Sequence, residues 1–283
     1  MDVSVIIVNY NTMLLTQNCV NSIIKTTQGV KYEIILVDNA SRDGSKEVFS
    51  NDNRLKYIYL NENYGFGYGN NRGMEVAKGK YVFLLNSDTI LRNSAIKEFY
   101  DYAECHDEKS IYGCYLQGEG GDYACSFFYY PAFTIKDFIK RILHISKKLP
   151  VDYKDKEVEC VSGANMFFPR AAFVEVGGFD EHIFLYGEEG ELQYRMKKAG
   201  YSSYVISRPQ ITHLEGKSLT PSLGKQAIKM RSHFIILKKH MAYPTYVMAR
   251  IYYAMNLGIR NVPNLFKKDG IEYYKTLISK VNL

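Results

Sequence analysis

Residues 82–91 read VFLLNSDTIL: four apolar residues, then Asn86-Ser87-Asp88-Thr89, then an apolar pair. A short apolar run bounded by polar residues fits a strand buried on both faces, and this one closes on a carboxylate. The same design recurs upstream in VSVIIVNY (3–10), YEIILVDN (32–39) and LKYIYLN (55–61), with KYVFLLNSD (80–88) as the fourth strand. Between the strands, TQNCVNSIIKTT (16–27), SKEVFSND (45–52) and GNNRGMEVAKG (69–79) each leave room for one helix. Such alternation predicts an α/β protein, a Rossmann-like and mainly parallel sheet flanked by helices, with three right-handed crossovers.

The pattern loosens from about residue 110 to 160, although IKDFIKRILHISKKL (135–149) keeps its apolar residues near one helical face. A strand over VSGANMFFP (161–169), a helix over AAFVEVGG (171–178), a second helix over 188–199 and a strand over YSSYVIS (201–207) follow. From about 222 the chain reads as helical, with Pro244 and Pro263 expected to break it.

With 46% hydrophobic and 23% charged residues the 283-residue chain has the balance of a globular protein. No run approaches about 20 apolar residues, and the N-terminus MDVSVIIVNYN lacks a basic leader, so a cytoplasmic protein is expected. Five scattered cysteines without a C-x-x-C pair fit reduced core thiols. The charge is uneven: from Glu215 onward there are 12 Lys and Arg against 3 Asp and Glu, leaving 24 against 27 in the first 214 residues. This basic tail fits an anionic lipid surface, or helices packing on the rest of the chain or on a second copy. No nucleic-acid motif accompanies it.

In an open parallel sheet, ligands bind beyond the carboxyl ends of the strands. There the sequence places Asn9-Tyr10-Asn11, Asp38-Asn39 and Asn86-Ser87-Asp88. Asp38 can accept from a nucleotide base or ribose, and Asp88 can hold the cation of a diphosphate, since Mg²⁺ or Mn²⁺ takes few protein carboxylates and fills its shell with water and phosphate. Taken singly, both acids could instead be helix caps or turn residues. The glycines of NYGFGYGNNRG (63–73) are spaced G-x-G-x-G and follow the third strand, which argues against a dinucleotide fold.

In their order and spacing, VSVIIVNYN, ILVDNAS, NYGFGYGNNRG and FLLNSDT resemble the nucleotide-binding half of a family 2 glycosyltransferase with the GT-A fold. SGANMFFPRAAFVEVGGFDEHIFLYGEEGELQYRMKKAG and HLEGKS resemble the acceptor half, and the nearest branch is similar to bacterial rhamnosyltransferases of surface polysaccharides. The resemblance implies a catalytic domain over 1–218, with a nucleotide-sugar half (1–110) and an acceptor half (111–218), followed by a basic helical region over 219–283. It places Asn86-Ser87-Asp88 at the family's D-x-D motif with Asn for the first acid, which leaves Asp88 as metal ligand and Asn86 as a ribose or water contact. It also implies His213 as a second metal ligand where a lone histidine could be structural, Gly69, Asn70 and Arg72 beside base and ribose where Asn70 or Arg72 could instead cap or brace the helix, and Gly163 and Ala164 lining the acceptor pocket where the bland alternative is a tight turn.

The same resemblance sets Glu188-Glu189-Gly190-Glu191 at the family's E-D-x-D, with Glu189 at the position of the base and one methylene longer than the usual Asp. Inverting transfer needs such a carboxylate to take the acceptor's proton. Glu191 and Arg195 stand four apart on a helix and suit an orienting ion pair beside the acceptor. Alternatively, the acids simply complement a helix N-terminus. The implied activity is metal-dependent transfer from a dTDP- or UDP-sugar to a glycan or lipid-linked acceptor at the inner face of the cell membrane. Two other functions stay open, a non-catalytic scaffold of the same fold and a nucleotidyltransferase, although VNYNTMLLTQ lacks the glycines and cations that a triphosphate loop needs.

Overall fold

The computed structural model of the chain describes residues 1–130, 133–143, 150–214 and 223–265. The first elements follow the apolar pattern: β1 (Val3–Asn9), α1 (Met13–Thr26), β2 (Tyr32–Asp38), α2 (Ser45–Phe49), β3 (Leu55–Tyr59), α3 (Phe66–Val76) and β4 (Tyr81–Asn86). β1 pairs in parallel with β2 and β4, and β2 with β3. Side chains alternate across β1, so Val3, Val5 and Ile7 join the core cluster with Phe83, Leu85 and Phe99, while Ile6 and Val8 face α3.

Two glycines decide how closely α3 approaches the sheet. A Cβ on Gly69 would lie 2.9 Å from Val8, and one on Gly73 would lie 2.5 Å from Ile6. Glycine is a poor helix former in isolation, yet here its missing side chain lets the helix rest on β1. This packing, and Asn63 Oδ1 accepting from Gly65 N at 3.0 Å, start the helix at Phe66 instead of residue 69.

The remaining elements are β5 (Thr89–Leu91), α4 (Ala95–Glu104), β6 (Ser110–Gln117), β7 (Phe127–Phe128), α5 (Ile135–Ile142), β8 (Lys156–Val158), β9 (Cys160–Val161), β10 (Asn165–Pro169), α6 (Arg170–Glu175), α7 (Glu188–Lys198), β11 (Ser202–His213), α8 (Leu223–His240) and α9 (Tyr243–Leu265). The main sheet runs β3-β2-β1-β4-β10-β6-β11-β5, with β8 also on β11. β10 is antiparallel to β4 and β6, and β11 is parallel to β6 but antiparallel to β5 and β8. β7 and β9 form a small separate sheet.

Three expected strands differ from those observed, and each difference shapes the site. The run 80–88 stops at Asn86, because the Thr89 hydroxyl donates to the Asn86 carbonyl at 2.7 Å and closes a turn through Ser87 and Asp88. The run 161–169 divides into β9 and β10 around a turn at 162–164, where Asn165 N donates to Ser162 O. The strand expected over 201–207 continues to His213, with an irregularity between Ile206 and Ile211. α5 ends at Ile142, and residues 144–149 of the expected helix lie outside the described residues. Pro244 sits at the second position of α9, where an N–H has no intrahelical partner to lose. Pro263 falls within α9 and does not end it.

The chain divides into two compact units. The first comprises 1–129, 150–181 and 188–220, and the second comprises 130–149, 182–187 and 221–283. The second unit thus draws two segments from within the stretch 1–218. In it the Ser232 hydroxyl donates to Leu185 O at 2.7 Å, and the rings of Phe133 and His240 meet edge to face at 5.2 Å. Among the described residues, no helix is long and apolar enough to cross a membrane, and Cys105 and Cys125 are exposed. Cys19, Cys114 and Cys160 are buried, and burial pushes the Cys19 thiol up to about 12.

Candidate active site

The carboxyl ends of β1 and β2 are joined by a buried polar network. Asn9, fully buried, donates to the Ser41 and Ser45 hydroxyls (3.0 and 2.9 Å) and accepts from those of Thr12 and Thr16 (2.8 and 2.9 Å). The Thr12 hydroxyl also lies 3.1 Å from that of Ser87, which links the first strand end to the turn after β4. Asn11 and Ala40, each just past a strand, take φ of 52° and 60°. Such backbone is costly outside glycine and is held here by hydrogen bonds, Asn11 N to Ser41 and Arg42 N to Asn11 Oδ1. Asp38 accepts from Ser41 N and from the Tyr57 hydroxyl, each at 2.8 Å. Burial first and the hydrogen bond to Asp38 second push the Tyr57 phenol up, so it remains a donor.

The residues expected at the donor site therefore sort by role. Asn9 is saturated by protein partners and holds the strand ends together. Tyr10 is 45% exposed. Asn39 and Asn70 are buried, and each amide donates to a backbone carbonyl, of Gly65 and Phe66 respectively. Each leaves its buried Oδ1 with no partner. Gly69 serves packing on Val8. Arg72 has the contacts of the bracing alternative: it pairs with Glu75 and Glu181 at 2.9 Å and lies over the Tyr68 ring.

Asp88 is brought to His213 by strand register. β5 runs antiparallel to β11 with His213 opposite Thr89, and Leu214 N donates to Asp88 O at 2.9 Å. His213 Nε2 then lies 3.2 Å from Asp88 Oδ1, with side chains 11% and 7% exposed. One carboxylate and one imidazole converging on a point suit a divalent cation whose other positions are filled by water and phosphate oxygens. No group of three or more His, Cys, Asp or Glu placed to hold a metal occurs among the described residues. The donor set fits a cation shared with a ligand better than a closed protein cage.

The turn at 162–164 connects this point to the acidic helix. Asn86 N donates to Ala164 O at 3.1 Å, because β10 enters the sheet antiparallel beside β4. A Cβ on Gly163 would meet the Glu189 side chain at 3.1 to 3.2 Å, so Glu189 lies directly over the glycine. Gln193, one turn on, holds α7 in place. Its amide donates to Val161 O and accepts from Val161 N (2.8 and 2.9 Å), as a neighbouring strand would. Asn165 adds a similar tie, accepting from Cys114 N at 2.6 Å. Sequence reasoning missed both amides: Asn165 opens an apolar run and Gln193 is one of many polar residues in α7, and neither setting signals that the amide will replace a strand partner.

The three glutamates differ sharply. Glu191 is fully buried and gives both oxygens to Arg195, at 2.7 to 3.0 Å. Arg195 also donates to Val176 O and Gly178 O at 2.5 and 2.6 Å, so the pair braces the helix to the glycine turn. The ion pair expected between Glu191 and Arg195 is thus present, and it engages both oxygens of Glu191, which was also expected among the catalytic acids. Glu188 is 3% exposed and its Oε2 has no partner. Burial, then the neighbouring Glu189 charge, hold its carboxyl well above the usual range.

A mostly parallel sheet with Asp38 and Asp88 at its strand ends, closed by an antiparallel β10 and an acidic helix, is the GT-A arrangement. The chain belongs to glycosyl transferase family 2, whose sequence model matches residues 4–177. It is 32% identical to Glycosyltransferase GlyG of Streptococcus pneumoniae over 149 residues, 51% of this chain and 48% of GlyG. It is 30% identical to Rhamnosyltransferase WbbL of Escherichia coli K12 over 189 residues, 62% of this chain and 70% of WbbL. The chain thus spans about half the length of GlyG. Among solved structures, S. aureus TarS 1-349 in complex with UDP matches with TM-score 0.56 and 17% identity, over 83% of this chain and 65% of that one. GalNAc-T7 with UDP, GalNAc and Mn²⁺ matches with TM-score 0.59 and 18% identity, over 82% and 47%. At these identities the likeness is one of fold.

Proposed function

We propose that this chain is an inverting, metal-dependent glycosyltransferase that moves a sugar from a nucleotide-diphosphate donor to a growing bacterial polysaccharide or lipid-linked oligosaccharide. The observation that carries the reading is the linkage of Asp88 and His213 to Glu189 through Asn86, Ala164 and Gly163, since a diphosphate site and a base must meet at the anomeric carbon. A dTDP- or UDP-sugar is the favoured donor, UDP by likeness to the TarS and GalNAc-T7 complexes. Rhamnose is favoured as the sugar by likeness to WbbL. The unpartnered Oδ1 atoms of Asn39 and Asn70 support a donor site there, because buried acceptors call for N–H or O–H partners of the kind that a base and ribose carry.

Asp88 and His213 would hold Mg²⁺ or Mn²⁺, which when bound neutralises charge growing on the leaving diphosphate. Glu189 takes the proton of the acceptor hydroxyl as that oxygen bonds to the anomeric carbon. The bond from that carbon to the phosphate oxygen breaks on the opposite face, and its electron pair leaves with the diphosphate. Asp38 accepts from the base or ribose, with Asn86 and Ser87 across β1 at the end of β4 and Asn11 and Tyr10 at the rim. The basic region 219–283 supports peripheral contact with the inner face of the cell membrane, where a lipid-linked acceptor would be met.

Calorimetry of dTDP, UDP and GDP with and without Mn²⁺ or Mg²⁺, on wild type and Asp88→Ala, tests the donor half. One diphosphate should bind only with metal and be lost in the variant. Absence of binding under every condition overturns the reading.

A further inference from the structure

Two helices of the second unit, α5 and α9, meet through the rings of Phe138 and Tyr252, whose centroids lie 5.2 Å apart. Phe138 is buried, yet Ile135 and Ile139 of α5 and Leu143 just past its end face outward. Ile135, Ile139 and Leu143, at successive four-residue steps, are 41%, 48% and 60% exposed. On α9, Met248, Ile251 and Met255 repeat the pattern at 52%, 56% and 61%. Spacings of three and four place each trio on one stripe of its helix, and each stripe adjoins the residue through which the helices touch. Single exposed apolar side chains are ordinary, but paired stripes on contacting helices mark a surface that something covers.

The charge of this unit says what the cover is. Its three segments hold 16 Lys and Arg against 3 Asp and Glu. Lys136 and Lys140 are exposed and each directly follows a stripe residue of α5. The neighbouring acid, Asp137, accepts from the Thr134 hydroxyl, and its own N–H donates back to that oxygen at the start of the helix. A second copy of the same face would bring cations against cations. An anionic bilayer instead accepts apolar side chains at its acyl boundary while lysine stems reach back to the phosphates.

We infer that α5 and α9 together form a membrane-docking face for anionic lipid, with Ile135, Ile139, Leu143, Met248, Ile251 and Met255 entering the bilayer surface and Lys136 and Lys140 beside them. This deepens the membrane contact proposed above, and moves it from the tail alone to a face that an internal segment helps to build.

Flotation of the full chain with vesicles of equimolar phosphatidylglycerol and phosphatidylcholine, and with phosphatidylcholine alone, tests it. Wild type should bind the anionic vesicles and lose them at high salt. The exposed double substitution Ile139→Asp/Ile251→Asp should weaken binding by about tenfold or more. Lys136→Gln/Lys140→Gln should weaken it by roughly tenfold at low salt and much less at high salt. Wild-type failure to float, or equal flotation of the aspartate variant, overturns the inference. So does a dimer that the aspartate variant abolishes while vesicles are ignored, since the face would then belong to a second copy. Diphosphate binding, measured on the same samples, separates this outcome from failure of the catalytic reading.

Discussion

Asn9 and Glu188 are both buried beside the candidate site, at 0% and 3% exposure, yet Asn9 makes four hydrogen bonds and one oxygen of Glu188 makes none. The hydrogen bonds of Asn9 are a finished set that ties the end of β1 to the loop after β2. The start of α7 carries an acid that folding leaves unsatisfied, while Glu191, three residues on, is neutralised by Arg195. A completed network serves positioning, and an uncompleted one is where a substrate or proton can still be accepted.

The contrast can be broken most severely at the two reactive ends. Asp88→Ala should lower transfer by at least about a thousandfold, several kcal/mol of charge stabilisation, with an unchanged circular dichroism melt. Glu189→Gln should lower kcat by about a hundred to a thousandfold while diphosphate affinity by calorimetry stays the same. If Glu189→Asp retains most activity, the longer side chain is a matter of reach.

Stability measurements sharpen the other side. Glu191→Gln leaves Arg195 buried without its charge partner and should cost about 3 kcal/mol in urea unfolding. Gly73→Ala forces a Cβ against Ile6 and should cost about 1–3 kcal/mol by the same assay. Glu188→Gln should act in the opposite sense. Its folded carboxyl lies above the ordinary 4.5, so the native state keeps a proton that the unfolded chain releases, and stability is lost as pH rises toward the folded value. The glutamine removes that loss: the gain in Tm should be absent near about pH 4 and grow toward about pH 8.

The parallel half was legible because burial on both faces leaves an unbroken apolar run, as in Val3 to Val8 and Tyr81 to Leu85. The places of Asp38 and Asp88 at strand ends and of Glu188, Glu189 and Glu191 in the first turn of a helix were legible, because polar residues close the apolar runs and acids open the helix. Arg72 stayed open between two readings because a cation near a site reads the same whether it meets a ligand or a carboxylate such as Glu181, whereas the pair of Glu191 with Arg195 was legible from its four-residue spacing. Gln193 and Asn165 were silent because their partners, Val161 and Cys114, are distant in sequence and are met through the backbone. The division of 161–169 at Gly163 depended on which sheet each piece joins, and that is a tertiary choice.

β11 also bears on how the protein is made. Its last residue, His213, completes the pair with Asp88, yet it follows the nucleotide-side strands by more than a hundred residues. A chain still emerging from the ribosome can assemble β1 to β4 while this strand is unsynthesised, and will lack its imidazole. Because side chains alternate along a strand, loss of a single residue between Ile206 and Ile211 would point that imidazole to the other face. Translation past residue 213, in the correct register, is thus a condition for the Asp88–His213 pair to exist, and nascent chains arrested earlier should carry a sheet without it.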